Sequence, residues 1–99
     1  LPGRPGLCMI LRPSESALNE TVEAALYYEN KAAGLGAAFI AELKRSTDFM
    51  LRYPEAAPIV RKQFRRFSMT RFPYNVFYVI EGAEILLIAV GHQKRRPFY

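Results

Sequence analysis

Hydrophobic and polar positions along this chain repeat with one period in its first half and with another in its second. After a start rich in proline and glycine, residues 7–11 form a short apolar run that predicts a first strand closed by Pro13. The period then lengthens to that of a helix. Ser14 or Ser16 supplies a cap, and Leu18, Val22, Ala25 and Glu29 follow at spacings of four, three and four, with Thr21, Ala25 and Tyr28 on the adjoining stripe. This predicts a helix over residues 14–31 with a narrow, alanine-rich face suited to the close approach of another helix. Gly34 interrupts the pattern, as a helix C-cap or loop glycine does. Leu35, Phe39, Leu43, Thr47 and Met50 or Leu51 predict a second helix over residues 35–52, with Glu42, Lys44, Arg45 and Asp48 mostly on its other side. Tyr53-Pro54 stops it, because proline disfavours helix in the residue before it. Two helices joined this closely form an antiparallel hairpin.

The second half reads as sheet. Residues 64–69 are basic and aromatic and predict an outer-facing strand. Arg71-Phe72-Pro73-Tyr74 connects it to residues 74–80, which are aromatic and β-branched. Glu81-Gly82-Ala83 is a turn, so residues 74–80 and 84–90 form a hairpin. Residues 84–90 are apolar at both alternating sets of positions, which predicts burial on both faces and a central place in the sheet. Pro97 takes the last residues out of the ladder. The expected fold is α+β: an N-terminal strand, then an antiparallel helical hairpin packed on a three- to four-stranded, mostly antiparallel sheet.

The 99-residue length suits one domain, read over residues 7–99, with residues 1–6 as a leader or tag-like segment. The lone cysteine, Cys8, excludes an intrachain disulfide and fits a reducing cytoplasm. No apolar run nears the ~20 residues of a membrane helix. The net charge of +5 is unevenly placed: Arg61, Lys62, Arg65, Arg66 and Arg71 occur without an acid among them, Lys94-Arg95-Arg96 follows, and acids concentrate in the helices. Such a pole attracts a polyanion or an acidic protein segment. One histidine and one cysteine leave no metal-ligand spacing, there is no glycine-rich phosphate loop, and no cofactor is expected.

Four stretches then carry a resemblance. They are Glu23-Ala24-Ala25-Leu26-Tyr27-Tyr28-Glu29, Gly34-Leu35-Gly36-Ala37-Ala38-Phe39, Arg71-Phe72-Pro73-Tyr74-Asn75-Val76-Phe77-Tyr78, and residues 89–99 with His92, Arg95, Arg96, Pro97 and Tyr99. In this order and spacing the chain resembles the ParE/RelE toxin superfamily, and within it the ParE-like plasmid-stabilisation toxins. The resemblance implies the toxin of a type II toxin–antitoxin pair, held by an antitoxin whose acidic tail, disordered when free, wraps the toxin. It leaves two targets open. ParE-like members act on DNA gyrase without being enzymes of that reaction, and RelE-like members are ribosome-dependent mRNA endonucleases. The ending resembles the former, so gyrase is the expected target.

For contact with the target the candidates are Arg65, Arg66, Arg71, His92, Arg95, Arg96 and Tyr99. In a nuclease, Arg71 and Arg96 would stabilise phosphate charge, His92 would transfer a proton and Tyr99 would stack on a base. Candidates for antitoxin contact are Tyr28, Phe39, Leu43, Phe64 and Arg66. Against these stand plainer roles: His92 fixing the exit of the last strand, Tyr27 and Tyr28 packing, and the arginines forming a solvated face.

Overall fold

A computed structural model describes residues 9–94. The order of elements is β1 (Ile10–Pro13), α1 (Glu15–Lys31), α2 (Leu35–Arg52), β2 (Ile59–Arg61), β3 (Phe64–Ser68), β4 (Tyr74–Glu81) and β5 (Glu84–His92). Among the described residues the strands form one five-stranded mixed sheet in the order β1-β5-β4-β3-β2. β1 runs parallel to β5, and the other pairings are antiparallel. The helical hairpin lies across one face. The predicted sheet was therefore short by one strand: β2, three residues between Pro58 and Lys62, is too brief to show a period. Its presence also puts β3 inside the sheet.

The first strand spans residues 10–13, and Pro13 belongs to it instead of closing it. β1 is an edge strand, where the missing N–H of proline costs no ladder bond. The leader-like residues 1–6, Leu7 and Cys8 lie outside the described residues. Ser14 joins strand to helix. Its Oγ accepts from Ala17 N at 3.0 Å, capping α1, and donates to Ile88 O at 3.0 Å.

α1 is turned by one residue from the expected stripe. Ala17, Thr21, Ala24 and Tyr28 face inward, with Ala17 and Ala24 buried, whereas Leu18, Val22 and Leu26 are 52%, 56% and 60% exposed. Close packing decides this. An alanine face lets the helices approach until an added Cβ on Gly36 would stand 2.6 Å from the Ala25 carbonyl oxygen, and leucine or valine there would hold them apart. α2 buries the expected Phe39, Leu43, Thr47 and Met50. It also buries Glu42, which had been placed on the solvent side.

In β5, Phe77 pairs with Ala89 but Tyr78 with Leu87, so Ile88 is an extra residue, a bulge. The bulge switches the phase of the strand. Ile85, Leu87 and Val90 all reach the helical face, at 0%, 5% and 1% exposure. This explains why both alternating sets looked apolar. β5 lies between β1 and β4, inside the sheet but not at its centre. Where β1 ends, β5 is tied to the start of α1 and its cap: Ser14 N donates to Leu87 O at 2.9 Å, and Val90 N donates to Glu20 Oε1 at 2.7 Å. The β4–β5 turn closes on Gly82, at φ 59°.

Candidate functional site

Tyr28, Phe39, Phe72, Tyr74 and His92, at least one from each motif stretch, meet at one end of the sheet. Tyr28, near the end of α1, stacks on Phe39 of α2 with centroids 5.6 Å apart and meets Phe72 edge-on at 4.8 Å. Phe39 packs edge-on against Phe72 at 5.2 Å and Tyr74 at 5.1 Å, and Tyr74 meets the His92 ring at 5.3 Å. Burial, with smaller contributions from Tyr74 and Tyr27, raises the Tyr28 hydroxyl above its ordinary pKa. A tight turn makes the insertion of Phe72 possible. Tyr74 N donates to Phe72 O at 2.8 Å around Pro73, whose carbonyl accepts from Gln93 N at 2.8 Å.

Glu29 closes the junction. Gly34 is the residue before α2 and, at φ 87°, has no side chain to cap it. Glu29 does so from the other helix, accepting from Gly34 N at 3.0 Å and Gly36 N at 2.9 Å. These two bonds hold its carboxyl below the ordinary carboxylate pKa. On the next turns Glu42 Oε1 accepts from Arg45 Nη2 at 2.6 Å, and Oε2 accepts from Thr70 Oγ1 at 3.1 Å. Arg45, Thr70 and the more distant Arg71 outweigh burial and keep Glu42 below its ordinary pKa. The loop that exposes Arg71 is thereby fastened to α2.

Of the expected target-contact residues, Arg71 and His92 lie at this end. His92 Nδ1 accepts from Lys94 N at 3.1 Å, a backbone role at the strand exit, with an amide N–H as its partner. Arg65 and Arg66 do not form one basic face, because neighbours in a strand point to opposite sides. Arg65 shares the helical side with Phe67, and its Nη1 donates to Ala57 O at 2.7 Å and Glu55 O at 3.1 Å. Beside it the buried Tyr78 hydroxyl donates to Pro54 O at 2.8 Å. Arg65 thus braces the loop after α2. Arg66 takes the alternate position, paired with Phe77, and borders a cleft with Phe67 and Phe49. Arg95, Arg96 and Tyr99 lie outside the described residues. Among the antitoxin candidates, Phe39 is corrected: at 0% exposure it is core and has no surface for a partner to cover. Tyr28 is half-buried in the aromatic junction, and Leu43 lies on the floor of a groove.

That groove, about 330 Å³, runs between the hairpin and the β1 edge and is lined by Leu11, Ala17, Leu18, Ile40, Leu43 and Leu87. Its signal in the sequence is Leu18, left outside the core when α1 packs through alanine. Among the described residues no three His, Cys, Asp or Glu side chains group to hold a metal, and no helix is long and apolar enough to cross a membrane.

Residues 11–97 match the family model described as the ParE toxin of type II toxin–antitoxin system, parDE. The chain belongs to the ParE toxin family. Among solved structures its fold is similar to a chain of the chromosomal ParDE system from P. aeruginosa, with TM-score 0.77 at 12% identity, covering 86% of this chain and 96% of that one. It is also similar to a chain of the intact E. coli RelBE toxin–antitoxin complex, with TM-score 0.66 at 21% identity, covering 88% and 99% respectively. The isolated E. coli RelE toxin gives TM-score 0.65 at 21% identity over 92% of this chain and 90% of that one. No curated protein sequence matches. In this ParE-family chain the motif residues Tyr28, Glu29, Gly34, Gly36, Phe39, Phe72 and Tyr74 therefore build the junction of helices and sheet.

Proposed function

We propose that this ParE-family chain is a toxin that disables DNA gyrase by binding it and is neutralised by an antitoxin seated in the groove beside β1. The observation that carries the reading is the family match across residues 11–97. The groove supports the antitoxin part. Its walls are apolar, Leu18 and Ile40 stand exposed at its rim, and β1 ends the sheet order with one backbone side unpaired among the described residues. An amphipathic helix in the groove and a strand added to β1 would use both features. Binding over cleavage is supported by the division of the cations. Arg65 is committed to two carbonyls, so it does not join Arg66 on one phosphate.

A nuclease reading keeps one observation in its favour, the common location of Arg71 and His92 at the end from which residues 95–99 continue. Induced expression separates the two. Growth arrest with a DNA-damage response and intact mRNA, relieved by the co-expressed neighbouring gene, is the expected result. Ribosome-dependent mRNA cuts that disappear in His92→Ala would replace gyrase by mRNA as the target. Unimpaired growth would remove the toxin reading itself.

A further inference from the structure

An apolar row runs along the solvent side of α1. Leu18, Val22 and Leu26 recur every four residues, so they stand one above the other, and each is more than half exposed. Leu18 also lines the β1 groove, as does Ile40 of α2, 43% exposed, so the row carries the apolar wall of the groove onward along α1. Beside it runs a polar row at the same spacing, Glu15, Asn19 and Glu23, all exposed.

The charges of the hairpin divide into those the fold uses and those it leaves over. α1 carries four glutamates and one lysine. Glu20 accepts from Val90 N, and Glu29 from the amides of Gly34 and Gly36. Lys31 lies over the Tyr27 ring at the far end of the helix, 5.1 Å from the ring centre. On α2, Lys44 pairs with Asp48 at 3.4 Å and Arg45 with Glu42 at 2.6 Å. Glu15 and Glu23 have no ion-pair partner among the described residues. The chain is basic as a whole, yet the free charge beside its exposed apolar row is acidic.

This charge selects what can cover the row. A second copy fits badly: two α1 helices paired antiparallel about Val22 would set Glu15 against Glu29 of the copy, each seven residues from the centre. An acidic helix would meet Glu15 and Glu23 with like charge. We propose that this face of α1 docks an amphipathic helix of a protein partner that is apolar along one row and basic along the adjoining edge. Its apolar side chains cover Leu18, Val22 and Leu26, and Lys or Arg residues two turns apart, about 12 Å, meet Glu15 and Glu23. In taking this helix to be the antitoxin's, the proposal rests on the toxin reading; the docking chemistry does not.

The test titrates the isotope-labelled full chain at low salt with two capped helical peptides, followed by amide NMR shifts. Both carry the same leucine row; the edge beside it is lysine in one and glutamate in the other. The lysine-edged peptide should give saturable shifts centred on Leu18, Val22, Leu26 and Ile40, and should bind about tenfold more tightly than the other. Glu15→Lys with Glu23→Lys should reverse that order, and Val22→Lys should weaken both peptides. Glu15 lies in the first turn of α1, so Glu23→Lys alone, which should narrow the difference, provides a second variant; thermal melting checks that each is folded. Equal binding of the two peptides, shifts centred on Phe49 and Ile59, no saturable binding, or self-association of the chain that Val22→Lys abolishes would each overturn the proposal. Its failure leaves any growth arrest on induction untouched, and loss of that arrest leaves the peptide order untouched, so the two readings fail separately.

Discussion

The aromatic junction and the β1 groove are built from the same two helices, yet they are opposites. In the junction, rings interlock, Phe39 is fully buried, and the amides of Gly34 and Gly36 at the start of α2 are bonded to Glu29. In the groove, Leu18 and Ile40 stand half in solvent, and among the described residues no polar network closes over them. The residues that carry the family resemblance crowd into the first region and are nearly absent from the second. What makes this chain recognisable is thus chiefly how its hairpin is locked to its sheet, whereas the groove proposed for the antitoxin is apolar surface left over from that locking.

Substitutions in the two regions should therefore behave differently. The largest effect belongs to Phe39→Ala, which empties the centre of the ring cluster. Truncating a buried phenylalanine costs about 3–5 kcal/mol, and urea unfolding should show most of it as a lowered midpoint with an unchanged slope. A loss below about 1 kcal/mol would mean the rings are not interlocked. Gly36→Ala comes next. Its new Cβ would stand 2.6 Å from the Ala25 carbonyl oxygen, which is backbone and cannot rotate away. The helices must separate, at a cost of about 1–3 kcal/mol, read in the same unfolding experiment.

Glu29 gives a smaller, pH-dependent effect. Its folded pKa is lowered from the ordinary 4.5 by the two glycine amides. A carboxylate with a depressed folded pKa contributes stability that is present above its unfolded pKa and is lost as pH falls through the folded one. Stability should therefore decline as the solution is acidified below pH 4.5. Glu29→Gln should be less stable at neutral pH and show a shallower acid decline. Glu42, lowered mainly by its hydrogen bond with Arg45, contributes a limb of the same sign, so the decline should not vanish in this variant. An acid limb identical to the parent's would show that Glu29 does not cap α2.

The contrast also explains what could be read from the sequence. α2 was legible in its span and apolar face, though not in the burial of Glu42, because Phe39, Leu43, Thr47 and Met50 are large or β-branched and recur at helical spacing. α1 was placed correctly along the chain but read one residue out of phase, since the face that packs, Ala17 and Ala24, carries the least hydrophobic signal. β2 was too short to show a period, and the bulge at Ile88 hid the change of face within β5. For the site, Arg71 and His92 were brought to one end, as their places after β3 and at the end of β5 allow. The pairing of Arg65 with Arg66 was never compatible with a strand period of two. Glu42 lies three residues after Phe39 and four before Ser46, on the buried stripe, and its spacing marked it as an inward carboxylate in need of partners.

The smallest effect on stability is expected where the sequence reading put the core of α1. Leu18 is 52% exposed, so Leu18→Lys removes little buried surface and should change unfolding free energy by no more than about 0.5 kcal/mol. Its position on the groove wall makes it a sensitive probe of the partner. Lysine there would place a charge against the apolar face of a docked helix, and the antitoxin should bind about tenfold or more weakly, measured by calorimetry on the purified pair. Phe39→Ala gives the complementary control: if the two regions are independent, antitoxin affinity of the folded fraction stays near the parent's while stability collapses. A Leu18→Lys chain that unfolds early yet binds normally would reverse the comparison, placing core where the structure has surface and leaving the partner to be sought elsewhere.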